Sequence, residues 1–193
     1  MKVMRLGILG SGKGSNFRAI AEAISGGTLR AEVGVVVSDQ PSAGILEYAK
    51  IIGVQAVALP ESRFKTKLEP EIEQELVRIL KDAQVDLVVL AGYMRMVKAP
   101  LLDAFEGRIL NIHPSLLPAY PGLAAWKQAL EAGERETGCS VHWVDAGMDT
   151  GEVIAQRRVP ILAGDTAELL HARIQVAEHE LYPAVLIELT KKF

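Results

Sequence analysis

The chain lacks the features that mark several large classes of protein. It has a single cysteine, Cys139, which excludes an intrachain disulfide and a zinc site built from several cysteines. No run of Lys or Arg exceeds two residues and the formal net charge is −3, so no electrostatic signature of nucleic-acid or anionic-membrane binding is present. No apolar stretch approaches the roughly 18 residues that a membrane-spanning helix requires. We therefore expect a cytoplasmic protein that acts on small molecules, without a nucleic-acid or membrane partner.

Internal boundaries are also missing from the sequence. It contains no repeat, no low-complexity tract and no Pro/Ser-rich linker. Hydrophobic residues make up 49% and charged residues 23% of the 193 residues, a composition typical of globular proteins. A chain of this length can bury one large core. We expect residues 1–193 to form a single domain, as a monomer or a homodimer.

The first half of the chain alternates short apolar runs with segments of helical periodicity. The runs are typical of parallel strands, which lack polar alternation because both faces are covered. They span residues 5–9, 32–37, 55–59, 86–90 and, later, 108–112. Between the first two runs, Phe17, Ile20 and Ile24 repeat at helical spacing. Strands joined by crossover helices predict a doubly wound α/β fold, with a mainly parallel open sheet and helices on both faces.

The pattern changes in the second half. Cys139, Val141 and Trp143 alternate with Ser140 and His142, the period of a strand with two different faces, and a further apolar run follows at residues 153–159. This predicts an antiparallel portion at one edge of the sheet.

A last helix is also predicted. Asp165 and Glu168 have the spacing of a capping box, so we expect a long helix that begins after Asp165 and runs to about Leu181. Pro183 is expected to break or kink it.

A glycine-rich segment, residues 10–16, joins the first strand to the first helix. Its backbone N–H groups predict an anion site at the helix N-terminus. A nucleotide P-loop would need Ser or Thr where Gly14 stands, and a dinucleotide fingerprint would need Gly or Ala where Ser15 stands, with Asp39 as a late candidate for the ribose carboxylate. A phosphomonoester held by Gly14, Ser15 and Asn16 is a third interpretation. A tight turn with Asn16 as a helix cap is the purely structural one.

A candidate reactive centre combines two segments. Asn111 and His113 end a strand and project from the same side, where ligands of open α/β sheets bind. Asp149 lies in a loop between the two antiparallel strands; a carboxylate beside an imidazole orients the ring and favours its protonated form, which can donate to an oxyanion. With the Asn111 amide as a second donor, the set suits attack of an amine on a carbonyl. The structural alternatives are an ordinary hydrogen-bonded histidine and a turn-forming aspartate.

Neither a covalent nucleophile nor a metal is predicted. Ser115 lacks the Gly-x-Ser-x-Gly elbow of hydrolases, and Cys139 lies within a predicted strand, where we expect it to fill the core. The histidines show no metal-ligand spacing. His142 is expected to be a hydrogen-bonded residue near the site.

Several motifs together resemble the folate-dependent phosphoribosylglycinamide formyltransferases of purine biosynthesis along nearly the whole chain. The resemblance is carried by the segments at residues 11–16, 90–95, 111–118, 120–122, 147–151, 175–179 and 182–183. It implies a formyltransferase fold, 10-formyltetrahydrofolate as co-substrate and no metal. It implies that Asn111 and His113 stabilise a tetrahedral intermediate and that Asp149 tunes His113 and assists proton transfer.

The resemblance also implies binding residues. The phosphorylated amine would be bound by Gly14, Ser15, Asn16, Gln175 and Glu178. The folate would be bound by Lys67, Met94, Arg95, Met96, Val97, Asn111, Val144, Asp145 and Asp149, with the segment from Met94 to Val97 acting mainly through its backbone.

One departure from the family pattern and several alternative functions remain. Ala124, Ala125 and Trp126 replace polar residues, often a histidine, that the family commonly carries there. A sugar-amine formyltransferase, a formyltetrahydrofolate hydrolase and a non-catalytic nucleotide-binding module are the alternatives. Formyltransferases of methionyl-tRNA would add a domain and basic surfaces that we do not expect here.

Overall fold

The computed structural model describes residues 3–192. Its strands are β1 (Met4–Leu9), β2 (Ala31–Ser38), β3 (Ala56–Ala58), β4 (Leu87–Leu90), β5 (Ile109–His113), β6 (Glu136–Trp143) and β7 (Val153–Pro160). Its helices are α1 (Ser15–Ser25), α2 (Gly44–Ile51), α3 (Pro70–Asp82), α4 (Ala99–Ala104), α5 (Ala125–Glu131) and α6 (Ala167–Thr190).

All seven strands form one sheet, in the order β3-β2-β1-β4-β5-β6-β7. The strands from β3 to β5 in this order pair in parallel, whereas β5 with β6 and β6 with β7 pair antiparallel. The predicted fold class, a mainly parallel sheet with an antiparallel edge portion, is confirmed. Because β1 lies between β2 and β4, the chain changes direction across the sheet there, and a crevice opens at the strands' carboxyl ends.

Helices cover the sheet on both faces, because alternate side chains of each strand point to opposite sides. One core packs α1, α2, α5 and α6 against the sheet, and includes Leu6 and Ile8 of β1. The other packs α3 and α4 against the opposite face and includes Leu9. The apolar runs without polar alternation therefore indicated correctly that these strands are buried on both faces.

Helix α6 differs from the prediction at both ends. Its N-cap is Thr166, whose side chain accepts from the Leu169 N–H at 3.3 Å. Asp165 instead accepts from the Leu162 N–H and pairs with Arg173 at 2.7 Å, so the predicted capping box of Asp165 and Glu168 was wrong and the N-cap lies one residue later. This ion pair to the second turn of the helix is a tertiary preference that local spacing does not reveal.

The predicted end near Leu181 was also wrong, since α6 continues to Thr190 with Pro183 inside it. Of the two effects expected of Pro183, the break is excluded and the kink stays a prediction. Val185 and Leu186 lie in the turn that follows and are buried in the core. Burying large aliphatic side chains gains roughly 1.5–3 kcal/mol each, which offsets the backbone hydrogen bond that proline removes.

Tyr182 ties this helix to the sheet. It is fully buried, and its hydroxyl lies 3.1 Å from both the Leu90 carbonyl of β4 and the Leu110 carbonyl of β5. The middle of α6 is thereby fixed beside the carboxyl ends of these two strands. Within residues 3–192, no helix has the combined length and apolar character needed to cross a membrane.

Candidate active site

The loops that leave β1 and β4 meet at the carboxyl edge of the sheet. The Ser11 N–H donates to the Gly92 carbonyl at 3.0 Å, and the Met94 N–H donates to Ser11 Oγ at 2.9 Å. These bonds join the glycine-rich segment to the segment that follows β4. Two motifs separated by about eighty residues therefore share one crevice, where parallel sheets bind their ligands.

Asn111, His113 and Asp149 converge at the adjacent strand end. Asn111 and His113 lie on β5, and Asp149 reaches them from the loop between β6 and β7. The Asp149 carboxylate is 3.4 Å from His113 Nδ1 through Oδ2 and 3.4 Å from Asn111 Nδ2 through Oδ1. The His113 side chain is 6% exposed and that of Asp149 is 14% exposed, so the pair interacts with little solvent screening.

Asp149 is held in a strained backbone position. Its φ is 54°, in the left-handed region that costs a non-glycine residue about 1–2 kcal/mol. Oδ2 accepts from the Gly122 N–H at 2.8 Å. Burial raises the pKa of the Asp149 carboxyl, but the interaction with His142, the bond from Gly122 and the nearby His113 outweigh it and lower the pKa overall. Asp149 is therefore a carboxylate at neutral pH.

His142 is a further member of this cluster. Its Nδ1 lies 2.8 Å from the Trp143 carbonyl and therefore carries a proton. Its Nε2 lies 3.1 Å from Asn111 Nδ2 and 3.6 Å from Asp149 Oδ1. In the neutral ring Nε2 accepts from Asn111, whereas in the protonated ring it donates toward Asp149. The predicted hydrogen-bonding role of His142 is confirmed, and its antiparallel pairing with Asn111 across β5 and β6 explains it.

The loop after β5 also contacts the reactive cluster. His113 Nε2 lies 2.9 Å from the Tyr120 carbonyl, so this nitrogen donates to the backbone while Nδ1 faces Asp149. The Asn111 amide nitrogen is likewise shared between His142 and Asp149. A substrate oxygen that takes a proton from His113 must therefore replace the Tyr120 carbonyl as its partner. Sequence reasoning missed this contact, because a backbone acceptor has no residue signature.

A buried polar network supports that loop. Ser140 Oγ of β6 donates to the Ser115 carbonyl at 2.6 Å and accepts from the Leu117 N–H at 3.0 Å. Gln156 of β7 donates to Ser140 Oγ at 2.9 Å. Ser115 Oγ donates to the Ala119 carbonyl at 2.6 Å, so its hydroxyl proton is committed to the loop. This arrangement suits a structural serine and agrees with the absence of a predicted nucleophile.

The glycine-rich segment turns directly into α1. Gly14 is the N-cap with φ 78°, and a Cβ there would lie 2.8 Å from Cγ1 of Ile45, so only glycine fits. Ser15 and Asn16 are the first residues of the helix, where N–H groups lack intrahelical acceptors. Asn16 does not cap the helix, which has no side-chain cap, so the purely structural interpretation of that residue was wrong. The phosphate interpretation stays a prediction.

Asn16 is bound to α6 instead. Its amide nitrogen donates to Glu178 Oε2 at 3.0 Å, and both residues are buried. Within residues 3–192, Asn16 Oδ1 has no hydrogen-bond partner, which leaves an acceptor for a ligand. Burial raises the pKa of the Glu178 carboxyl to about 7, although the bond from Asn16 opposes the shift. Glu178 lies one turn before Tyr182 on α6, and Gln175 is half-buried one turn earlier.

The segment after β4 uses its polar groups mostly within the protein. Arg95 Nε pairs with Asp39 at 2.6 Å, and its guanidinium also donates to the Phe64 carbonyl. The Met96 N–H donates to the Thr66 carbonyl at 2.8 Å, and Lys67 forms a parallel bridge with Met96. The Arg95 side chain is therefore a structural clamp, which is compatible with the backbone role that the sequence predicted.

Asp39 is excluded as a ribose ligand by its partners. Besides Arg95, its carboxylate accepts from Ser11 Oγ at 2.5 Å and from Gln40 Nε2 at 3.0 Å, and the residue is 4% exposed. Burial raises the pKa of Asp39, but these hydrogen bonds lower it by more. Asp39 therefore cannot serve as the ribose carboxylate that the dinucleotide interpretation of the glycine-rich segment requires.

The remaining predicted folate residues flank the same edge. Val97 is buried in the core of the α3 face, and Val144 packs against that core while its N–H donates to the Ile109 carbonyl at 2.9 Å. Asp145 Oδ1 accepts from the Gly147 N–H at 2.9 Å and from Thr150 Oγ1 at 2.7 Å. Asp145 thus shapes the loop that carries Asp149.

Two further observations bear on the site's surroundings. A cavity of about 440 Å³ between β3 and α3 shares no residue with the cluster at the end of β5; it is lined by Val57, Ala58, Leu59, Pro60, Glu71, Ile72, Glu75 and Ile79. Among the residues described, no group of three or more His, Cys, Asp or Glu side chains is arranged to hold a metal ion.

Comparison with known proteins gives consistent matches. Residues 4–186 match the family described as formyl transferase. The chain is 40% identical over 185 residues to the phosphoribosylglycinamide formyltransferase of Bacillus subtilis, covering 96% of this chain and 94% of that protein. It is 45% identical over 184 residues to the trifunctional purine biosynthetic protein adenosine-3 of Drosophila melanogaster, covering 94% of this chain but spanning only 14% of that protein.

The fold has equally similar solved counterparts. The crystal structure of glycinamide ribonucleotide transformylase 1 from Symbiobacterium toebii matches with a TM-score of 0.94 and 45% sequence identity, covering 98% of this chain and 89% of that one. These similarities confirm the family resemblance that the sequence motifs predicted.

Proposed function

The chain belongs to the formyl transferase family, and from this premise we propose that it transfers the formyl group of 10-formyltetrahydrofolate to the amine of phosphoribosylglycinamide. The products are formylglycinamide ribonucleotide and tetrahydrofolate, and the reaction belongs to purine biosynthesis. The observation that carries the proposal is the convergence of Asn111, His113 and Asp149 at the end of β5. The names of a phosphoribosylglycinamide formyltransferase and a glycinamide ribonucleotide transformylase, each matched over most of its length, support the choice of substrates. The name of the trifunctional purine biosynthetic protein supports the pathway.

The chemistry follows from that geometry. The neutral amine attacks the formyl carbon, a C–N bond forms, and negative charge develops on the formyl oxygen. His113 Nε2 exchanges the Tyr120 carbonyl for this oxygen, and the Asn111 amide, which must give up His142 or Asp149 as a partner, provides the second donor. Asp149 lies against Nδ1 and orients the imidazole.

Collapse of the intermediate then breaks the bond to the folate nitrogen. The amine loses one proton and the leaving nitrogen gains one, so the reaction needs no external acid, oxidant or reductant. Asp149 lies within reach of the reacting centre and relays this proton. All interactions that strengthen with charge on oxygen favour the transition state over the bound substrates.

The two substrates bind on opposite sides of this centre. The phosphate lies at the start of α1 on the N–H groups of Gly14, Ser15 and Asn16, and Gln175 and Glu178 contact the ribose or glycinamide part. The pterin contacts backbone groups of residues 94–97 and the loop from Val144 to Asp149. A metal-free reaction, a cytoplasmic location and a monomeric or homodimeric state remain predictions.

Cofactor turnover tests the assignment directly. Absorbance of 10-formyltetrahydrofolate is followed with and without phosphoribosylglycinamide. A formyltransferase consumes the cofactor only when the amine is present, a hydrolase consumes it in both cases, and a non-catalytic module in neither. Turnover with a sugar amine but not with phosphoribosylglycinamide would replace the proposed substrate.

A further inference from the structure

The loop at residues 119–124 holds both members of the histidine–aspartate pair by its backbone. The Tyr120 carbonyl accepts from His113 Nε2, and the Gly122 N–H donates to Asp149 Oδ2 at 2.8 Å. The geometry of the pair therefore depends on where this loop lies. During the reaction His113 Nε2 leaves the Tyr120 carbonyl, but the bond from Gly122 to Asp149 persists and Asp149 faces His113 Nδ1, so a loop displacement of about 1 Å would still misplace the pair.

The loop cannot maintain its own conformation. Tyr120 and Ala124 have φ values of 53° and 52°, and Gly122 has a φ of 85°. Non-glycine residues in this region are strained and persist only where the surrounding structure holds them. The restraint therefore comes from contacts along the loop and at its ends: Gln128 Nε2 of α5 donates to the Leu123 carbonyl at 2.9 Å, and the Tyr120 hydroxyl donates to Glu134 Oε1 at 2.8 Å. One end is bonded to Ser115 and Ser140, as described above.

The other end is α5, whose N-cap is Ala124. With seven residues, α5 is too short to be stable alone, so its position depends on packing. Ala125 and Ala129 are fully buried but small. The large aromatic contact comes from Trp126, whose ring stacks on His171 of α6 with centroids 3.7 Å apart and planes 3° from parallel.

We propose that Trp126 and His171 are positioning residues for formyl transfer, which act by fixing α5 and the loop that holds His113 and Asp149. The expected effect on kcat rests on the proposed function. The expected effect on the position of the loop does not. Helix α6 is itself bound to the strand ends by Tyr182, so the stack connects the loop to a helix that is anchored on the sheet.

The kinetic test compares Trp126→Ala and His171→Ala with variants that keep an aromatic face, Trp126→Phe and His171→Phe. Loss of the stack is expected to lower kcat about 10- to 100-fold. KM for the phosphorylated amine should be nearly unchanged, because its proposed phosphate site is at the start of α1, and KM for the folate should change less than kcat, because Asp149 is only one of the proposed folate contacts. The aromatic variants should retain most of the activity, and the double alanine variant should lose no more than either single one. Lys127→Ala is the matched control, since Lys127 is adjacent on α5 and its side chain is 60% exposed.

A spectroscopic readout separates this inference from the proposed function. The chain has four histidines, so ¹H–¹³C spectra of the imidazoles can resolve His113. Trp126→Ala should move the His113 resonance without any substrate, and Lys127→Ala should not. If the wild-type protein gives no amine-dependent turnover, the proposed function fails while this measurement still tests the positioning role.

Unchanged kcat in a folded variant without the stack, an equal loss in Lys127→Ala, or an unmoved His113 resonance would overturn the proposal. If Trp126→Ala does not fold, Trp126→Leu and His171→Ala carry the same test, because both remove the stack: the first keeps a large apolar side chain on α5, and the second leaves Trp126 in place.

Discussion

The side-chain amide of Asn16 donates to Glu178 Oε2 at 3.0 Å and joins the first and last helices across 162 residues of sequence. Glu178 is a buried carboxyl beside the proposed phosphate site, and burial raises its pKa to about 7. The contact therefore joins three features: the proposed phosphate site, a carboxyl group that binds a proton near pH 7, and the packing of α1 on α6.

Glu178 should make the stability of the protein depend on pH. The folded-state pKa of about 7 lies above the ordinary value of 4.5, so between these pH values the folded chain keeps a proton that the unfolded chain releases. The free energy of unfolding should fall by about 3 kcal/mol as pH rises through this window, and Glu178→Gln should remove that fall. Urea unfolding at several pH values from 4.5 to 8 measures it. Glu106→Gln, on the surface, is the control, and parallel profiles for all three proteins would contradict the prediction.

Substitution of the reactive cluster should affect rate more than folding. His113→Ala and Asp149→Asn are each expected to lower kcat for formyl transfer by about 10²- to 10⁴-fold, because both residues act mainly in the transition state. Steady-state kinetics with unfolding curves on the same samples measure both effects. Asp103→Asn, an exposed aspartate on α4, is the matched control. Wild-type kcat in folded variants would remove these residues from the mechanism.

Ser15 should contribute to recognition of the phosphate group. It begins α1, where its N–H and hydroxyl can donate to an anion. Ser15→Ala is expected to raise KM for the phosphorylated amine several-fold, by loss of one hydrogen bond to a charged group, and to leave KM for the folate unchanged. Ser25→Ala, at the end of the same helix, is the control. Equal use of phosphorylated and dephosphorylated amine by the wild type would count against a phosphate site.

The ion pair between Asp39 and Arg95 should be strongly coupled. Their side chains are 2% and 9% exposed, so removal of one partner leaves a buried charge without its counterion. Asp39→Asn or Arg95→Met alone should destabilise the fold by roughly 3–5 kcal/mol, and the double variant by less than the sum. Chemical denaturation of the full cycle tests this. The exposed pair Lys127 and Glu131 should show coupling below about 1 kcal/mol, and additive effects at Asp39 and Arg95 would contradict the prediction.

Cys139 should be unreactive in the folded protein. The thiol is fully buried, and burial raises its pKa to about 12, so almost no thiolate is present at pH 8. A disulfide reagent such as Ellman's reagent should label no thiol in buffer and one per chain in denaturant, as the sequence has a single cysteine. Rapid labelling of the native protein would show that this strand opens.

The sequence by itself determined the fold class. Apolar runs without alternation indicate strands covered on both faces, and the change to a period of two from residue 139 indicates strands with two different faces. The first pattern follows from which side chains must avoid water, a local property of each segment. The second places apolar and polar side chains on opposite faces of β6, although Ser140 and His142 are themselves buried and hydrogen-bonded. The glycine-rich segment and the pair Asn111 and His113 could likewise be placed at strand ends, because they follow apolar runs directly.

Tertiary structure decided the contacts between distant segments. The N-cap of α6 is Thr166 because Asp165 binds Arg173, and the helix passes Pro183 because the next turn is buried. Each outcome depends on an energy gained elsewhere in the protein, which local spacing does not contain.

The same division applies to the candidate site. The types of residue at positions 111, 113 and 149 indicated donors and a carboxylate, and side-chain chemistry is fixed by the sequence. Only the folded chain decided the strand register, which pairs Asn111 with His142. It also decided the path of the loop, which brings the Tyr120 carbonyl to His113 and the Gly122 N–H to Asp149. Backbone groups are identical in every residue, so only their positions in space make them specific partners.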